Sequence, residues 1–286
     1  MRHKLLLGHN VARVWLLAMA LLVTAAATAR VRAEDCAALP NPVFVAGSTA
    51  VKLLVSSIAA QLRQQAQPIT LVFASSPTGS CAGVGLIMSD TKLTGTGIIY
   101  DNAGKEIPSG CTLNNNSVDL ALSDVWPSTC EGMPVLPATL QDFLGPVQIM
   151  TFIVPSLSSQ NSISAQAAYL VFGFGESSGV APWSEVASIF VRKPDSGTQQ
   201  MISKAIRVPA AKFQGTANSS GGDVLKGVTS AANADKAIGI LAADAIARDN
   251  TNVKVLAYQH YGQIHAYWPD STPGVYDKLN VRDGHY

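Results

Sequence analysis

Residues 43–74 read VFVAGSTAVKLLVSSIAAQLRQQAQPITLVFA, and this stretch determines the expected fold. It begins with one apolar run, Val43–Ala46, and ends with a second, Ile69–Ala74. Between them apolar residues recur at helical spacing, which predicts an amphipathic helix from about Ala50 to Ala66. Apolar runs without polar alternation are typical of parallel strands that are covered on both faces. The stretch therefore predicts a strand–helix–strand unit and an α/β fold.

Short apolar runs recur along the rest of the chain and predict further strands. These candidates are Val118–Leu122, Val147–Val154, Ser188–Val191, Ala237–Leu241 and Val253–Ala257. A different pattern occupies residues 91–108, TKLTGTGIIYDNAGKEIP, where Asn-Ala-Gly predicts the tip of an inserted hairpin.

The composition excludes two classes of protein. Of the 286 residues, 48% are hydrophobic and only 14% are charged. A chain this apolar is not intrinsically disordered, and a net charge of +1 does not describe a polycation that binds nucleic acid. We therefore expect a folded protein with no nucleic-acid partner.

Residues 1–33 have the features of a secretory signal peptide. A basic start precedes the apolar run Val14–Val23, and Val31-Arg32-Ala33 fits the small-x-Ala cleavage pattern. The alternative is a membrane anchor, but the run has about half of the ~20 residues that a membrane-spanning helix needs. Without this segment the chain has 15 cations and 19 acids. We expect a mildly acidic protein that is periplasmic or secreted.

The four cysteines, Cys36, Cys81, Cys111 and Cys130, all follow the signal. An even number in an oxidising compartment predicts two disulfides, for which three connectivities exist. Cys36 and Cys111 each lie seven residues before a strand candidate, whereas Cys81 and Cys130 each follow one. If those strands are parallel, the pairs Cys36–Cys111 and Cys81–Cys130 lie at the same edges of the sheet. No cysteine or histidine spacing matches zinc, so we expect no metal site.

Three strand candidates are followed by small hydroxylated residues and glycines at the start of a helix. The segments are Gly47-Ser48-Thr49, the run from Ser75 to Val84 that contains Ser80, and Arg192 to Thr198. The unpaired N–H groups and the positive dipole end of a helix are found at such places. Each segment alone also fits an ordinary N-cap. Together they predict an anion-binding site.

Two charged residues add to this pattern. Arg192 is the first cation after Lys105, and its forked donors lie four residues before Ser196. The alternative is a surface arginine paired with Asp195. Asp124 follows the strand candidate that ends at Leu122, and an ionised carboxylate only accepts hydrogen bonds.

A carboxylate such as Asp124 therefore favours an anion that still carries a proton, such as hydrogen phosphate, over fully ionised sulfate. The alternative is that Asp124 caps the following turn or pairs with Arg192.

These motifs, in this order, resemble those of periplasmic phosphate-binding proteins, the solute receptors of phosphate ABC transporters. The matching segments are Ala46 to Thr49, Gly79 to Gly83, Leu122-Ser123-Asp124, Arg192 to Thr198 and Ile238-Gly239-Ile240. The resemblance begins near residue 42. The chain departs from the family at Pro194, where an Asp is common, at Cys81, and in the 91–108 hairpin.

The resemblance implies a type II, two-lobed periplasmic-binding-protein fold with a ligand cleft between the lobes. Lobe one would comprise residues 36–151 plus 253–286, and lobe two residues 152–252. The family continues further at its C-terminus, so we expect lobe one to be incomplete there.

The resemblance also implies the function. The ligand would be phosphate or a similar oxyanion, captured by lobe closure and presented to a membrane ABC permease. Catalysis and cofactors are not expected, and the protein is expected to be a monomer. The implied ligand-binding residues are Ser48, Thr49, Ser80, Asp124, Arg192, Ser196, Gly197 and Thr198.

Two other function classes remain open from the sequence. Gly175-Glu176-Ser177-Ser178-Gly179 matches GxSxG, the nucleophile motif of a secreted serine hydrolase, and His260 follows downstream. That motif requires a strand before it and a helix after it, whereas the flanking sequence predicts a loop. The third class is an exported adhesion or structural protein that retains the fold without the ligand.

Overall fold

The structure is a computed structural model that describes residues 33–145, 148–243, 246, 252–272 and 275–276. The signal candidate, apart from Ala33, lies outside the described residues. By their contacts, the residues from Asp35 onward belong to one unit. This unit contains two five-stranded sheets and the helices that pack on them, which confirms the α/β class.

The strands are short and are numbered in chain order. They are β1 Pro42–Gly47, β2 Thr70–Thr78, β3 Leu93–Ile98, β4 Cys111–Asn116, β5 Leu120–Leu122, β6 Met150–Pro155, β7 Ser162–Ser164, β8 Ile189–Arg192, β9 Thr216–Asn218, β10 Ile238–Ala242, β11 Val253–Val255, β12 Ala257–Gln259, β13 Asp270–Thr272 and β14 Val275–Tyr276. The α-helices are α1 Lys52–Arg63, α2 Ser80–Met88, α3 Ala165–Phe174, α4 Gly197–Ile206 and α5 Gly221–Thr229.

The first sheet has the strand order β4-β3-β2-β1-β5. Strand β1 pairs in parallel with both β2 and β5, so the strand–helix–strand unit predicted from residues 43–74 is present. Helix α1 is shorter than predicted, because it begins at Lys52 and ends at Arg63. Pro68 lies beyond this end and disfavours helical backbone at the residue before it.

The inserted hairpin extends further than its sequence pattern indicated. Strands β3 and β4 pair antiparallel and extend the sheet beyond β2. At the tip, the Asp101 carboxylate accepts hydrogen bonds from the backbone N–H groups of Ala103 (2.8 Å) and Lys105 (2.9 Å). These bonds stabilise the ionised form and lower the pKa of Asp101. The tip therefore has the turn chemistry that Asn-Ala-Gly predicted.

The second sheet has the strand order β11-β6-β10-β8-β9. Strand β8 is parallel to β9 and β10, whereas β6 pairs antiparallel with β10 and β11. Its core packs against α3 and α4 and includes the fully buried Phe152, Ile189 and Ile238. Of the predicted strand Val147–Val154, Val147 lies outside the described residues.

Two strands near the C-terminus pair with strands from the middle of the chain, while β13 and β14 pair with each other. Strand β11 pairs with β6, and β12 pairs in parallel with β7. The expected division into lobes, 36–151 plus 253–286 and 152–252, stays a prediction.

The two disulfides are Cys36–Cys111 and Cys81–Cys130, which confirms the pairing that the strand ends favoured. The first joins the segment before β1 to the start of β4. The second joins the first turn of α2 to the segment that follows β5. No helix in the described ranges is long and apolar enough to cross a membrane.

Helix α2 packs directly on strand β1, and Gly83 allows this close approach. A Cβ atom at Gly83 would lie 2.8 Å from the backbone N of Gly47 and 2.9 Å from the carbonyl O of Ala46. These atoms belong to a buried strand, so they have little freedom to move. Gly83 thus fixes how near the N-terminus of α2 lies to the end of β1.

Gly83→Ala is expected to lower the free energy of unfolding by about 1–3 kcal/mol, as overpacking typically does. Gly85 is the matched control, because it lies in the same helix and a Cβ there would meet only the Met133 side chain at 3.8 Å. Gly85→Ala should leave stability unchanged or raise it by about 0.5–1 kcal/mol through helix propensity. Urea denaturation followed by circular dichroism measures both, and equal effects of the two substitutions would contradict this packing.

Candidate anion-binding site

Loops from the two sheets meet at the carboxyl ends of their parallel strands. Hydrogen bonds between described residues connect them. Arg192 Nη2 donates to Thr49 Oγ1 (3.3 Å), Thr78 Oγ1 donates to the carbonyl of Ser219 (2.9 Å), and the Cys81 N–H donates to the carbonyl of Asp195 (3.0 Å). The segments that the sequence singled out are therefore neighbours in space.

Arg192 is the last residue of β8 and is only 3% exposed. Its Nε donates to the carbonyl of Asn218 (3.4 Å), and its Nη2 also donates to the carbonyl of Ser219 (3.1 Å). Within the described part of the chain, Nη1 donates no hydrogen bond. The interpretation of Arg192 as a surface residue paired with Asp195 is wrong, because the guanidinium is buried and bonds to backbone carbonyls.

Burial is also the main influence on the pKa of Arg192. Loss of hydration lowers the pKa of this guanidinium, while the nearby carboxylates of Asp124, Asp195 and Asp223 raise it. Arginine has so high an intrinsic pKa that it stays protonated. The site therefore contains a buried cation that three carboxylates influence electrostatically.

The N-terminus of α4 lies beside this cation. Ser196 is the N-cap residue, and its side chain makes no capping hydrogen bond. The first N–H groups of a helix have no acceptor within that helix. The hydroxyl of Thr198, a residue that is 1% exposed, has no hydrogen-bond partner among the described residues. Buried hydroxyls are normally bonded, so this turn presents donors that a ligand can use.

Ser80 and Asp124 form a pair opposite this turn. The hydroxyl of Ser80, the fully buried first residue of α2, donates to Asp124 Oδ1 and accepts from the Asp124 backbone N–H at 3.3 Å. Gly197 lies directly against the pair, because a Cβ there would overlap both Asp124 Oδ1 and Ser80 Oγ. A glycine is therefore required at position 197 for this approach.

Ser48 and Thr49 follow β1. The sequence predicted that they open the helix, but α1 begins three residues after Thr49, at Lys52. The Ser48 hydroxyl accepts from the Ala50 N–H (3.1 Å), and the Ser48 N–H donates to the carbonyl of Leu122 (2.8 Å). Thr49 contacts Arg192. The structure thus brings together Thr49, Arg192, Ser80, Asp124 and Gly197, while the side-chain hydrogen bond of Ser48 is local.

Sequence reasoning missed the segment after β9. Asn218 and Ser219 supply the carbonyls that hold Arg192, and α5 follows with a capping box between Ser220 and Asp223. The signal was present as Ser-x-x-Asp after a short strand. Because β9 is parallel to β8, its carboxyl end meets the same edge of the sheet as Arg192.

The GxSxG segment does not form a nucleophile elbow. Residues Gly175–Ser178 are a 3-10 turn that directly follows helix α3, and Ser177 is exposed. A nucleophile elbow requires a strand before the serine and a helix after it. The hydrolase interpretation therefore lacks its structural basis at this motif.

No protein-family model matches this chain, and no curated protein matches it either. Among solved structures, it is similar to a protein from Clostridium perfringens assigned as a phosphate ABC transporter substrate-binding protein, with bound phosphate. The identity is 12% and the TM-score 0.48, and the match covers 86% of this chain and 82% of that chain.

A second similar structure is described as a possible phosphate-binding protein from Planctomyces limnophilus. It is 13% identical with a TM-score of 0.42, covering 87% of this chain and 78% of that chain. A third is PstS from Borrelia burgdorferi, at 13% identity and a TM-score of 0.38, and the match covers 86% of this chain and 83% of that chain.

Arg192→Ala should weaken binding of phosphate at least tenfold, because the forked donors of the buried cation are lost; tenfold is about 1.4 kcal/mol. Lys193→Ala is the matched control, since Lys193 is the adjacent residue, carries the same charge and is exposed. The affinity of Lys193→Ala for phosphate should stay within twofold of that of the unsubstituted protein. Isothermal calorimetry measures both dissociation constants, and equal constants for the two variants would exclude Arg192 from the site.

Proposed function

We propose that this chain is an exported solute-binding protein that captures inorganic phosphate, or a related tetrahedral oxyanion, for uptake through an ABC-type permease. One observation carries the proposal. The buried Arg192, whose Nη1 donates no hydrogen bond among the described residues, lies beside a helix start where the Thr198 hydroxyl has no such partner either.

The chemistry of these donors supports an oxyanion as the ligand. A guanidinium offers forked N–H donors, the N-terminus of α4 offers backbone N–H groups, and Ser196 and Thr198 offer hydroxyls. A tetrahedral anion accepts hydrogen bonds on all sides, so it can use donors from several loops at once. Such a site holds an anion with a single full positive charge, as here with Arg192.

Asp124 supports a protonated oxyanion. It lies beside Ser80 and Gly197, against the start of α4, and its field acts on Arg192. An ionised carboxylate accepts a hydrogen bond from hydrogen phosphate or hydrogen arsenate, but sulfate has no proton to donate. Placing two sets of acceptor lone pairs against each other in a desolvated site costs roughly 1–3 kcal/mol or more.

The mechanism that we propose is closure of two lobes around the anion. Lobe one would be residues 36–151 plus 253–286, and lobe two residues 152–252. The Arg192–Thr49 and Cys81–Asp195 hydrogen bonds join loops of the first sheet to loops of the second, as a closed form requires. The bound form would be presented to the permease as a monomer, with no chemical step.

Export to an oxidising compartment belongs to the same proposal. It is supported by the signal-peptide pattern of residues 1–33 and by two disulfides, with no free cysteine in the described chain.

Calorimetric titration of the purified protein with phosphate, arsenate and sulfate tests the function. Phosphate and arsenate should bind one per chain, and sulfate at least tenfold more weakly, because an unpaired carboxylate costs roughly 1–3 kcal/mol. Absence of heat or of a thermal shift with all three anions would refute an oxyanion receptor and favour an exported protein that uses the fold without a ligand.

Asp124→Asn should raise the affinity for sulfate relative to phosphate, because the amide supplies a donor and removes the negative charge. Asp195→Asn is the matched control, since Asp195 also acts electrostatically on Arg192. The control should change both affinities together and leave their ratio within twofold. A sulfate-to-phosphate ratio that Asp124→Asn does not move would mean that Asp124 does not select the ligand.

A further inference from the structure

We infer that the Cys81–Cys130 disulfide is the positioning element that holds Asp124 in the anion site. This inference rests on the proposed function and adds a specificity-determining element to it. Three features carry the inference: the chain segment in which Asp124 lies, the packing around the disulfide, and its connection to the Arg192 loop.

Asp124 lies at the start of a long connection between β5, which ends at Leu122, and β6, which begins at Met150. In the described part of this connection the regular structure is a single 3-10 turn, Pro127–Thr129. Its described residues 126–145 form backbone hydrogen bonds only among themselves, and many are well exposed, among them Val135 at 93%. The connection therefore offers little of its own to fix Asp124.

The disulfide supplies that fixation a few residues beyond Asp124. Cys81 and Cys130 are both buried, and they form a small apolar cluster with Val125 and the partly buried Met133. Val125 directly follows Asp124. Along the chain, Asp124 therefore lies between strand β5 on one side and a residue of this cluster on the other.

The same disulfide joins Asp124 to the rest of the site. Cys81 follows Ser80, whose hydroxyl bonds to Asp124, and the Cys81 N–H donates to the carbonyl of Asp195 in the Arg192 loop. The first turn of α2 thus contacts both Asp124 and the loop that follows Arg192. Because a covalent link does not open with thermal motion as a hydrogen bond between loops does, Asp124 stays aligned with Gly197 and the start of α4.

The other disulfide provides a matched control within the same sheet. Cys36–Cys111 joins the segment before β1 to the start of β4. Strand β3 is antiparallel to both β2 and β4, and β2 is parallel to β1, so β4 runs in the same direction as β1. This disulfide therefore lies at the amino ends of these strands, opposite the site. It closes a separation of 75 residues against 49 for Cys81–Cys130, so its removal is expected to cost at least as much stability.

The test compares Cys81→Ala/Cys130→Ala with Cys36→Ala/Cys111→Ala in calorimetric titrations with phosphate, each below its own unfolding midpoint. The first variant should bind phosphate at least fivefold more weakly, and the control should stay within twofold. Equal affinities of the two variants would overturn the inference.

A double-mutant cycle shows whether the disulfide acts through Asp124. On the Asp124→Asn background, removal of Cys81 and Cys130 should change the phosphate affinity less than twofold, because the positioned carboxylate is already absent. The same fivefold loss on both backgrounds would mean that the disulfide supports some other part of the protein.

Two further measurements apply if the double cysteine variant does not fold or if the unsubstituted protein does not bind phosphate. If the double cysteine variant does not fold, Val125→Ala trims the same cluster with the disulfide intact and should weaken phosphate binding twofold or more. If the unsubstituted protein does not bind phosphate, the proposed function fails, and amide hydrogen exchange at Asp124 still tests the positioning. Faster exchange there in Cys81→Ala/Cys130→Ala than in the control supports it, and equal rates overturn it.

Discussion

The burial of one positive charge, the Arg192 guanidinium, is the constraint on which this site depends. A buried charge is costly unless polar groups surround it, and here the carbonyls of Asn218 and Ser219 and the hydroxyl of Thr49 do so. These partners come from both sheets, so the cation holds the loops of β1 and β9 beside the start of α4. The nearby carboxylates counter the effect of burial on the pKa of Arg192, and Nη1 and the α4 N-terminus provide donors for an anion.

The parts of this arrangement that follow local chemistry could be predicted from the sequence. The apolar runs around residues 43–74 gave a correct strand–helix–strand unit because their periodicity reflects burial directly. The disulfide pairing followed from where each cysteine lies relative to a parallel strand, and the pairs Cys36–Cys111 and Cys81–Cys130 are present. Several of the candidate ligand-binding residues that the resemblance implies, including Arg192 and Asp124, lie close together.

What the sequence could not predict arises from contacts between distant segments. The three-residue strand β9 has too little apolar pattern to stand out, so the carbonyls that hold Arg192 were missed. The close approach of Gly197 to Ser80 and Asp124 depends on how two sheets approach, which no local spacing encodes. Likewise, the three-residue strands β7 and β12 pair in parallel, a contact between distant segments that no short sequence pattern indicates.

A crystal structure of the protein grown with phosphate tests most directly whether Arg192 and the start of α4 bind an anion. One anion should lie within about 3.2 Å of Arg192 Nη1, a normal distance for such hydrogen bonds. The same anion should contact the Thr198 hydroxyl and the backbone N–H groups at the start of α4, with the Asp124 carboxylate on one of its oxygens. An anion bound elsewhere, or a cluster of Arg192, Thr198 and Asp124 that stays without phosphate at saturating concentration, would contradict it.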